Sequence, residues 1–536
     1  MNQQFARIAF ACSALVACLP LSAHDTDAAG NKLGTVHFEV GCSPAAQLEV
    51  DLAAAYYHSF AWEQIKAPLE RALLADGSCG MVHWLRALAS LDNPFAWPGN
   101  VSSKTLADGA ALMDLARQAG LRSQRERDYV DALGAFFKDA DKLTHRTRAK
   151  AFETAMERVM TSYPGDSEAT IIYSLVLSAN FDPADKQYRN QLRAATLLEP
   201  VFARQPEHPG AAHYLIHSYD YPPLATRGLP AAQRYSQIAP AAAHAQHMPS
   251  HIFTRVGAWS DSVTANATSA RVDSASGPNT LHAYDYMVYA HMQMGQDQAA
   301  RAVRDKAQAI AKYPDNFAAA FAYAALPARL ALERGDWAAA SRLALTPGAA
   351  AYPWAKYPQA EAANAYARAL GAAALRDPVA RDAELARLGR LRDLAAELKI
   401  GYWVDQIGIQ IDVVRGFALF KAGEVDAGLA ALRQAADRED ASEKHVVTPG
   451  PLLPARELLA AALLERGDAA AALREFEAVL RKEPNRLRAM AGAGLAAERS
   501  GNAQSARDYS GKVARQTAQS DAGMPGLQLA QQSVTR

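Results

Sequence analysis

The sequence predicts an all-α fold, a solenoid of stacked antiparallel helix pairs. Two observations carry this prediction. Apolar and small residues recur at three- and four-residue spacing along most of the chain, which is the period of an α-helix, and no run alternates as a β-strand does. The positions of Gly467 and Gly501 also differ by 34 (501−467), and each glycine closes one alanine-rich helix before another begins. Helix pairs repeated in this way bury their faces against their neighbours.

The repeat resembles the tetratricopeptide repeat (TPR), a helix–turn–helix unit of about 34 residues. In the segment 458–502, small residues stand where the two helices cross, and Pro484 has the place of the proline between repeats. Units of the same kind precede Pro164, Pro206 and Pro314. We therefore expect a TPR-like α-solenoid over most of the chain.

Composition indicates a folded chain with no marked charge. The 536 residues are 50% hydrophobic and 21% charged, and the formal net charge is zero. This profile predicts a packed core, and it favours neither a nucleic-acid partner nor an anionic membrane surface. No stretch is long and apolar enough to predict a transmembrane span.

Positions 1–23 have the pattern of a signal peptide. Arg7 precedes an apolar run over 8–19, and small residues end at Ala23 in a cleavage site. We expect an exported, periplasmic protein. The alternative is a lipoprotein signal with a lipid anchor through Cys18, because the residues before that cysteine resemble a lipobox.

Cleavage after Ala23 would leave Cys42 and Cys79 as an even pair in an oxidising compartment. The sequence therefore predicts a disulfide between them. The alternative is a pair of reduced, buried thiols.

The strength of the repeat varies along the chain and suggests boundaries. The predicted segments are a signal peptide 1–23, an extended segment 24–45, a TPR-like solenoid 46–340 that carries the histidines, irregular helical repeats 341–440, a C-terminal TPR pair 441–516, and a disordered tail 517–536.

Four of the 14 histidines recur in register. His213 and His217 lie one helical turn apart, and His247 and His251 repeat that spacing at positions higher by 34 (247−213 and 251−217). Side chains at i and i+4 share a helix face, and a shift of one repeat reaches the equivalent face of the next unit. We expect a two-by-two patch of imidazoles that could bind a metal ion.

In TPR proteins the first helix of each unit lines a concave groove, so the resemblance implies further groove residues. Two histidines are expected at the edge of the patch, and the carboxylates and the arginine on the same side. The predicted groove residues are Asp220, His244, Arg255, His282, Asp285, Tyr289 and Glu457.

Stacked helices lie about 10 Å apart, so imidazoles of adjacent repeats can reach one ion. Nearby carboxylates could accept the second ring N–H and fix the tautomer. Imidazole ligands suit Zn, Cu or Fe. Two alternatives remain open: a metal-free polar groove, and structural histidines that bond to backbone carbonyls.

Two proline-containing segments also leave alternatives open. Pro249 either starts a helix or kinks one and so aims His247 differently from His251. The segment from His445 to Glu457, with three prolines, either lies over the groove or is a plain linker between repeats.

The motifs HPGAAHYLIHSYD and HMPSHIFTRVG resemble those of a family of exported bacterial TPR proteins, and the resemblance covers most of the mature chain. It implies the fold and names no reaction. Three functions follow as hypotheses: binding of a peptide, a protein or a small polar ligand in the groove; a metalloenzyme, either hydrolase or oxidase; and a structural scaffold of an envelope assembly. The sequence does not decide whether the protein is an enzyme.

Overall fold

A computed structural model describes residues 30, 32–274, 277 and 279–521. The predicted signal peptide and the tail beyond residue 521 lie outside these ranges. Between residues 33 and 42 the chain has no regular secondary structure, and its apolar side chains are buried beneath the first helices.

The described residues form α-helices joined by short turns and three short 3-10 helices. The helices of the N-terminal half are α1 Pro44–His58, α2 Lys66–Ala75, α3 Gly80–Ser90, α4 Ser103–Ala119, α5 Gln124–Phe137, α6 His145–Ser162, α7 Ser167–Ala179, α8 Arg189–Arg204, α9 Pro209–Tyr219, α10 Leu229–Ile238, α11 Ala243–His247, α12 Pro249–Val256 and α13 Trp259–Val272.

The helices of the C-terminal half follow without a β-strand among the described residues. They are α14 Thr280–Gln293, α15 Asp297–Gln308, α16 Phe317–Arg334, α17 Trp337–Ser341, α18 Pro358–Ala374, α19 Pro378–Glu397, α20 Gly401–Ala422, α21 Val425–Asp440, α22 Ala455–Arg466, α23 Ala469–Lys482, α24 Leu487–Arg499 and α25 Ala503–Gln516.

Consecutive helices pack against each other as antiparallel pairs, and the pairs stack along the chain. Several turns inside the pairs use the glycines that the repeat predicts. Gly257, Gly295 and Gly467 each follow the last helical residues with a positive φ, a conformation that stops a helix without steric cost to glycine. The predicted fold class, a TPR-like α-solenoid, is confirmed.

The apolar side chains form two large clusters in sequence order. One runs from Leu33 to Ile252 and the other from Ala270 to Ala496. The change from one cluster to the other falls between α12 and α14. Both histidine motifs lie on helices before this change, and His282 lies on α14 after it.

The C-terminal helices return to the middle of the chain. The indole Nε1 of Trp259 donates to the carbonyl of Asn485 at 3.0 Å, and α24 packs against α14. Gly257 permits this approach, because a Cβ there would lie 2.3 Å from the carbonyl oxygen of Pro484. The concave side is therefore partly closed by the chain itself.

The region with a weak repeat contains four of the longer helices, α18 to α21. At the start of the segment assigned to the tail, Thr517 is buried, and the amide of Asp521 donates to the carbonyl of Gly295 at 3.0 Å. Residues 517–521 thus pack on the solenoid.

Cys42 and Cys79 are joined by a disulfide, which confirms that prediction. The bond ties the segment before α1 to the residue that precedes α3. Across the described ranges, no helix combines the length and the apolar character needed to cross a bilayer.

Candidate metal centre

Six histidines gather at the boundary between the two apolar clusters. They lie in two groups of three, and in each group one ring nitrogen per residue lies within 4.8 Å of the others. We call them the first triad, which is His213, His217 and His244, and the second triad, which is His247, His251 and His282.

The first triad joins α9 to α11. Nε2 of His213 lies 3.1 Å from Nε2 of His217 and 3.1 Å from Nε2 of His244. An ion with bonds of about 2.0–2.1 Å in tetrahedral geometry separates its nitrogen ligands by about 3.3 Å. The three nitrogens therefore need only small shifts to share one ion.

The second triad joins α11 and α12 to α14. Nε2 of His247 lies 3.0 Å from Nε2 of His251. The ring of His282 lies against that of His247, with 4.2 Å between the ring centroids. One ring nitrogen of each residue in this group lies within 4.8 Å of the others.

Hydrogen bonds at the outer nitrogens hold three of these rings. Nδ1 of His213 lies 2.7 Å from the carbonyl oxygen of His58, and Nδ1 of His247 lies 2.6 Å from Oδ1 of Asn266. Both partners are acceptors, since the amide nitrogen of Asn266 donates to a carbonyl of its own helix. The ring proton of each is therefore on Nδ1, and its Nε2 carries the lone pair that faces the neighbouring histidines.

An ion network holds His251 in the same way. Its Nδ1 donates to Oδ2 of Asp220 at 2.9 Å. The carboxylate also accepts from Nε of Arg255 and from Nζ of Lys444, both at 2.8 Å. Burial by itself raises the pKa of Asp220, but Lys444, Arg255 and His251 together hold that pKa well below its usual value.

Burial keeps the imidazoles neutral. It lowers the pKa of all six histidines, and for all but His251 neighbouring histidines lower the pKa further; for His247 the pKa falls to about 3. At neutral pH each ring is in the uncharged form that binds metals.

Aromatic side chains cover the first triad. Phe95 stacks on His217 with 3.9 Å between the ring centroids, and Phe60 stacks on His244 at 5.1 Å. At the second triad, the hydroxyl of Tyr286 lies 3.4 Å from Nε2 of His251 and donates to the carbonyl of Thr448. These rings limit the access of water.

The two triads lie side by side. Ring centroids of His217 and His251 are 6.1 Å apart, and those of His244 and His247 are also 6.1 Å apart. Two separate contacts of equal length mean that the triads meet along an edge. We refer to the six residues together as the histidine centre.

The predicted patch and the histidine centre differ in one respect. The four histidines in register do come together, but they divide between two triads. His244 and His282, expected at the edge of the patch, complete those triads. Each triad combines two histidines at i and i+4 with one histidine from the next unit of the repeat. Pro249 begins α12, and His247, on the other side of the break between α11 and α12, meets His251.

Three predicted groove residues belong to a different network. Asp285 accepts from Nε of Arg329 at 2.8 Å, and Glu457 accepts from Nε of Arg486 at 2.6 Å. Nη1 of Arg486 also donates to the hydroxyl of Tyr289 at 3.0 Å. These buried groups connect α14 to α16, α22 and α24 instead of supporting either triad.

The segment between α21 and α22, residues 441–454, lies over the groove. Lys444 reaches Asp220, and the carbonyl of Thr448 accepts from Tyr286. The carbonyls of Gly450 and Pro451 accept from Arg329 at 3.0 Å. This arrangement agrees with the first of the two interpretations of the proline-rich segment.

A cavity of about 120 Å³ lies beside this segment. Arg255 and Lys444 line it together with carboxylates and aromatic rings, among them Glu439, Tyr402 and Trp403. Because Arg255 and Lys444 also bond to Asp220, the cavity adjoins the network behind the second triad.

A third cluster, which the sequence analysis did not predict, lies behind the first triad. His58 and His208 bond to opposite oxygens of Glu168, at 2.8 Å and 2.7 Å. The other nitrogen of His58 bonds to the hydroxyl of Tyr214 at 3.0 Å. The cluster fixes the end of α1, whose His58 carbonyl holds His213; Gly210 leaves room for the His58 ring.

The sequence matches no protein-family model and no curated protein. Solved structures that are similar to this chain include a monomeric mutant of IFIT1 with Gppp-AAAA (10% identity, 81% of this chain and 90% of that chain, TM-score 0.35). Others are the Cut9–Hcn1 hetero-tetramer of APC/C (14%, 85% and 77%, 0.34) and the TPR domain of P58(IPK) (10%, 91% and 98%, 0.21). The fold assignment rests on the helix packing described above.

Proposed function

We propose that the protein is a metal-binding α-solenoid whose histidine centre holds two transition-metal ions, one in each triad. The observation that carries the proposal is the approach of Nε2 atoms to 3.0–3.1 Å in both triads, while Nδ1 of His213, His247 and His251 donates to fixed acceptors.

In the second triad Nδ1 of both His247 and His251 donates, so two Nε2 lone pairs face each other at 3.0 Å and repel in a buried site. A proton shared between them would relieve the repulsion, but burial lowers the pKa of these histidines and opposes protonation at neutral pH. A metal ion relieves it without that cost, because it accepts all three lone pairs at once.

Both triads consist of imidazoles alone, which favours Zn, Cu or Fe over Mg or Ca. Three protein ligands leave one coordination position open, as in catalytic rather than structural zinc sites. The hydrogen bonds that Nδ1 of three histidines donates to His58, Asn266 and Asp220 are of the kind that fixes the tautomer of metal-bound histidine.

The open position supports a second candidate function, a metalloenzyme of the hydrolase or oxidase type. The specific observation in its favour is the 120 Å³ cavity beside Asp220, where Arg255 and Lys444 could bind an anionic group of a peptide or a small polar ligand. Binding in that cavity without chemistry is the corresponding groove function.

The test is metal titration of purified protein without a histidine tag. Apoprotein prepared with a chelator is equilibrated with Zn, Cu or Fe, and bound metal is measured by elemental analysis. We expect two equivalents. The double variant His213→Ala/His217→Ala should keep one ion, and so should His247→Ala/His251→Ala.

His83→Ala is the matched control, since His83 lies outside all three clusters and should leave two ions bound. Less than a tenth of an equivalent of every metal in folded wild-type protein would reject the proposal and would favour the metal-free groove or the scaffold.

A further inference from the structure

Resting on the proposed function, we infer that the two triads act as one dinuclear copper centre that binds dioxygen between the two ions. Each triad could bind a metal ion without such coupling between the two ions.

The two triads lie close to each other. Two pairs of rings, His217 with His251 and His244 with His247, bring the triads within 6.1 Å of each other between ring centroids. Within each triad one ring nitrogen of every histidine lies within 4.8 Å of the others. Ions held by the two triads would therefore lie close enough for a two-atom ligand to span them.

The ligands of the two triads favour copper. Copper(II) forms the tightest complexes of the divalent first-row metals with a given nitrogen site. Neutral imidazoles add no negative charge, so three of them also suit copper(I), and neither triad includes the carboxylate that harder ions such as Mn prefer. The carboxylate beside the second triad, Asp220, bonds to the outer nitrogen of His251 and to two cations, and so supports the ring instead of the ion.

The surroundings of the triads favour dioxygen as the molecule that bridges the two ions. Phe60 and Phe95 cover the first triad, and the six histidines are largely buried. A low-dielectric, water-poor site favours a small neutral molecule over a charged one. Dioxygen is such a molecule.

The two copper ions supply both electrons that the reduction of dioxygen to peroxide requires. Each copper(I) gives one electron, so two copper(I) ions reduce one dioxygen to peroxide and become two copper(II) ions. The O–O bond order falls from two to one, both oxygen atoms remain bound, and no proton or further reductant is consumed.

The test uses the full protein loaded with two equivalents of copper. In the copper(II) form we expect strong coupling through a bridge, so that the electron paramagnetic resonance signal integrates to less than a tenth of the bound copper. In the copper(I) form, prepared without oxygen, admission of dioxygen should consume one molecule per two copper ions and produce a charge-transfer band in the near ultraviolet.

A mixed-metal control requires no mutation. Protein that holds one zinc and one copper(II) ion should show the full signal of its single copper, since the coupled partner is diamagnetic. His282→Ala, which removes one ligand of the second triad, should behave as a centre with uncoupled copper, while His83→Ala should match the wild type.

The outcomes separate the two proposals. Two bound copper ions whose signal integrates to two isolated spins, or a copper(I) form inert to dioxygen, would overturn the dinuclear inference and leave metal binding intact. Uptake of two zinc ions with no uptake of copper would do the same. Failure to bind any metal would remove both proposals.

Discussion

Nδ1 of His251 donates a hydrogen bond to Oδ2 of Asp220 at 2.9 Å, although the two residues are far apart in the sequence. The same carboxylate accepts from Arg255 and Lys444, so it links a candidate metal ligand to an arginine on the same helix and to the 441–454 segment. This one residue links the histidine centre to the adjoining cavity.

Asp220→Asn should weaken metal binding at the second triad by about 10- to 100-fold, the usual effect of losing a hydrogen-bond partner behind a ligand. The first triad should keep its affinity. Competition titration with a coloured chelator measures both constants.

Asp285→Asn is the matched control for that variant, because it breaks a buried ion pair with Arg329 away from the histidines. Both variants should lose stability, by about 3–5 kcal/mol when a buried pair loses one partner. Equal metal affinities in the two variants would show that Asp220 does not support the centre.

Removal of the disulfide should lower the free energy of unfolding by about 4 kcal/mol, the chain-entropy value for a closed loop of this length. Urea denaturation of Cys42→Ser/Cys79→Ser measures the loss. Reductant should bring the wild type to the level of the variant and leave the variant unchanged. A denatured, unreduced chain that begins after Ala23 should show no free thiol, and two thiols would contradict the bond.

Gly257→Ala should destabilise the contact between the middle of the chain and its C-terminal part. The new Cβ would lie 2.3 Å from the carbonyl oxygen of Pro484, in addition to the cost of a positive φ. Gly467→Ala has the same backbone cost but nothing within 4 Å of its Cβ. We expect a loss of about 1 kcal/mol for Gly467→Ala and a clearly larger loss for Gly257→Ala; equal losses would contradict the close approach.

The stability of the protein should fall with rising pH through one buried carboxyl group. Burial raises the pKa of Glu439 to about 7, although the amide of Ala455 donates to it and opposes the shift. Between pH 4.5 and 7 the folded protein holds a proton that the unfolded chain has released. Stability is therefore lost as pH rises through this window, by at most about 1.4 kcal/mol per pH unit.

Glu439→Gln should remove that dependence. The free energy of unfolding of the variant should therefore rise relative to that of the wild type between pH 4.5 and 7, and the difference should stay constant above pH 7. Glu397→Gln, at an exposed position, is the control for the substitution itself. Chemical denaturation at a series of pH values gives the comparison, and parallel curves for Glu439→Gln and wild type would refute the assignment.

Features that repeat locally could be predicted from the sequence. The repeat period predicted the helix pairs, their turn glycines and the common location of the four histidines in register. The same reasoning did not reveal the partners of Asp285 and Glu457. A repeat register tells which face of a helix a residue is on, and it does not tell which arginine from a later helix reaches it.

Contacts between residues that are distant in the sequence account for most of the features that could not be predicted. His58 and His213, whose ring the His58 carbonyl holds, belong to different helix pairs, and Lys444 and Asp220 lie in different halves of the chain. His244 and His282 were placed at the edge because the register gives the helix face of a residue and not how far its side chain reaches toward the preceding unit, where each of them completes a triad.

The contact between Lys444 and Asp220 has a consequence for the order of events during synthesis. All six histidines have been added to the growing chain by residue 282, yet Lys444, the second cation that bonds to Asp220 behind His251, comes much later. A nascent or truncated chain that ends before residue 441 thus carries every nitrogen of the centre without that contact. Full maturation of the second triad awaits the C-terminal helices.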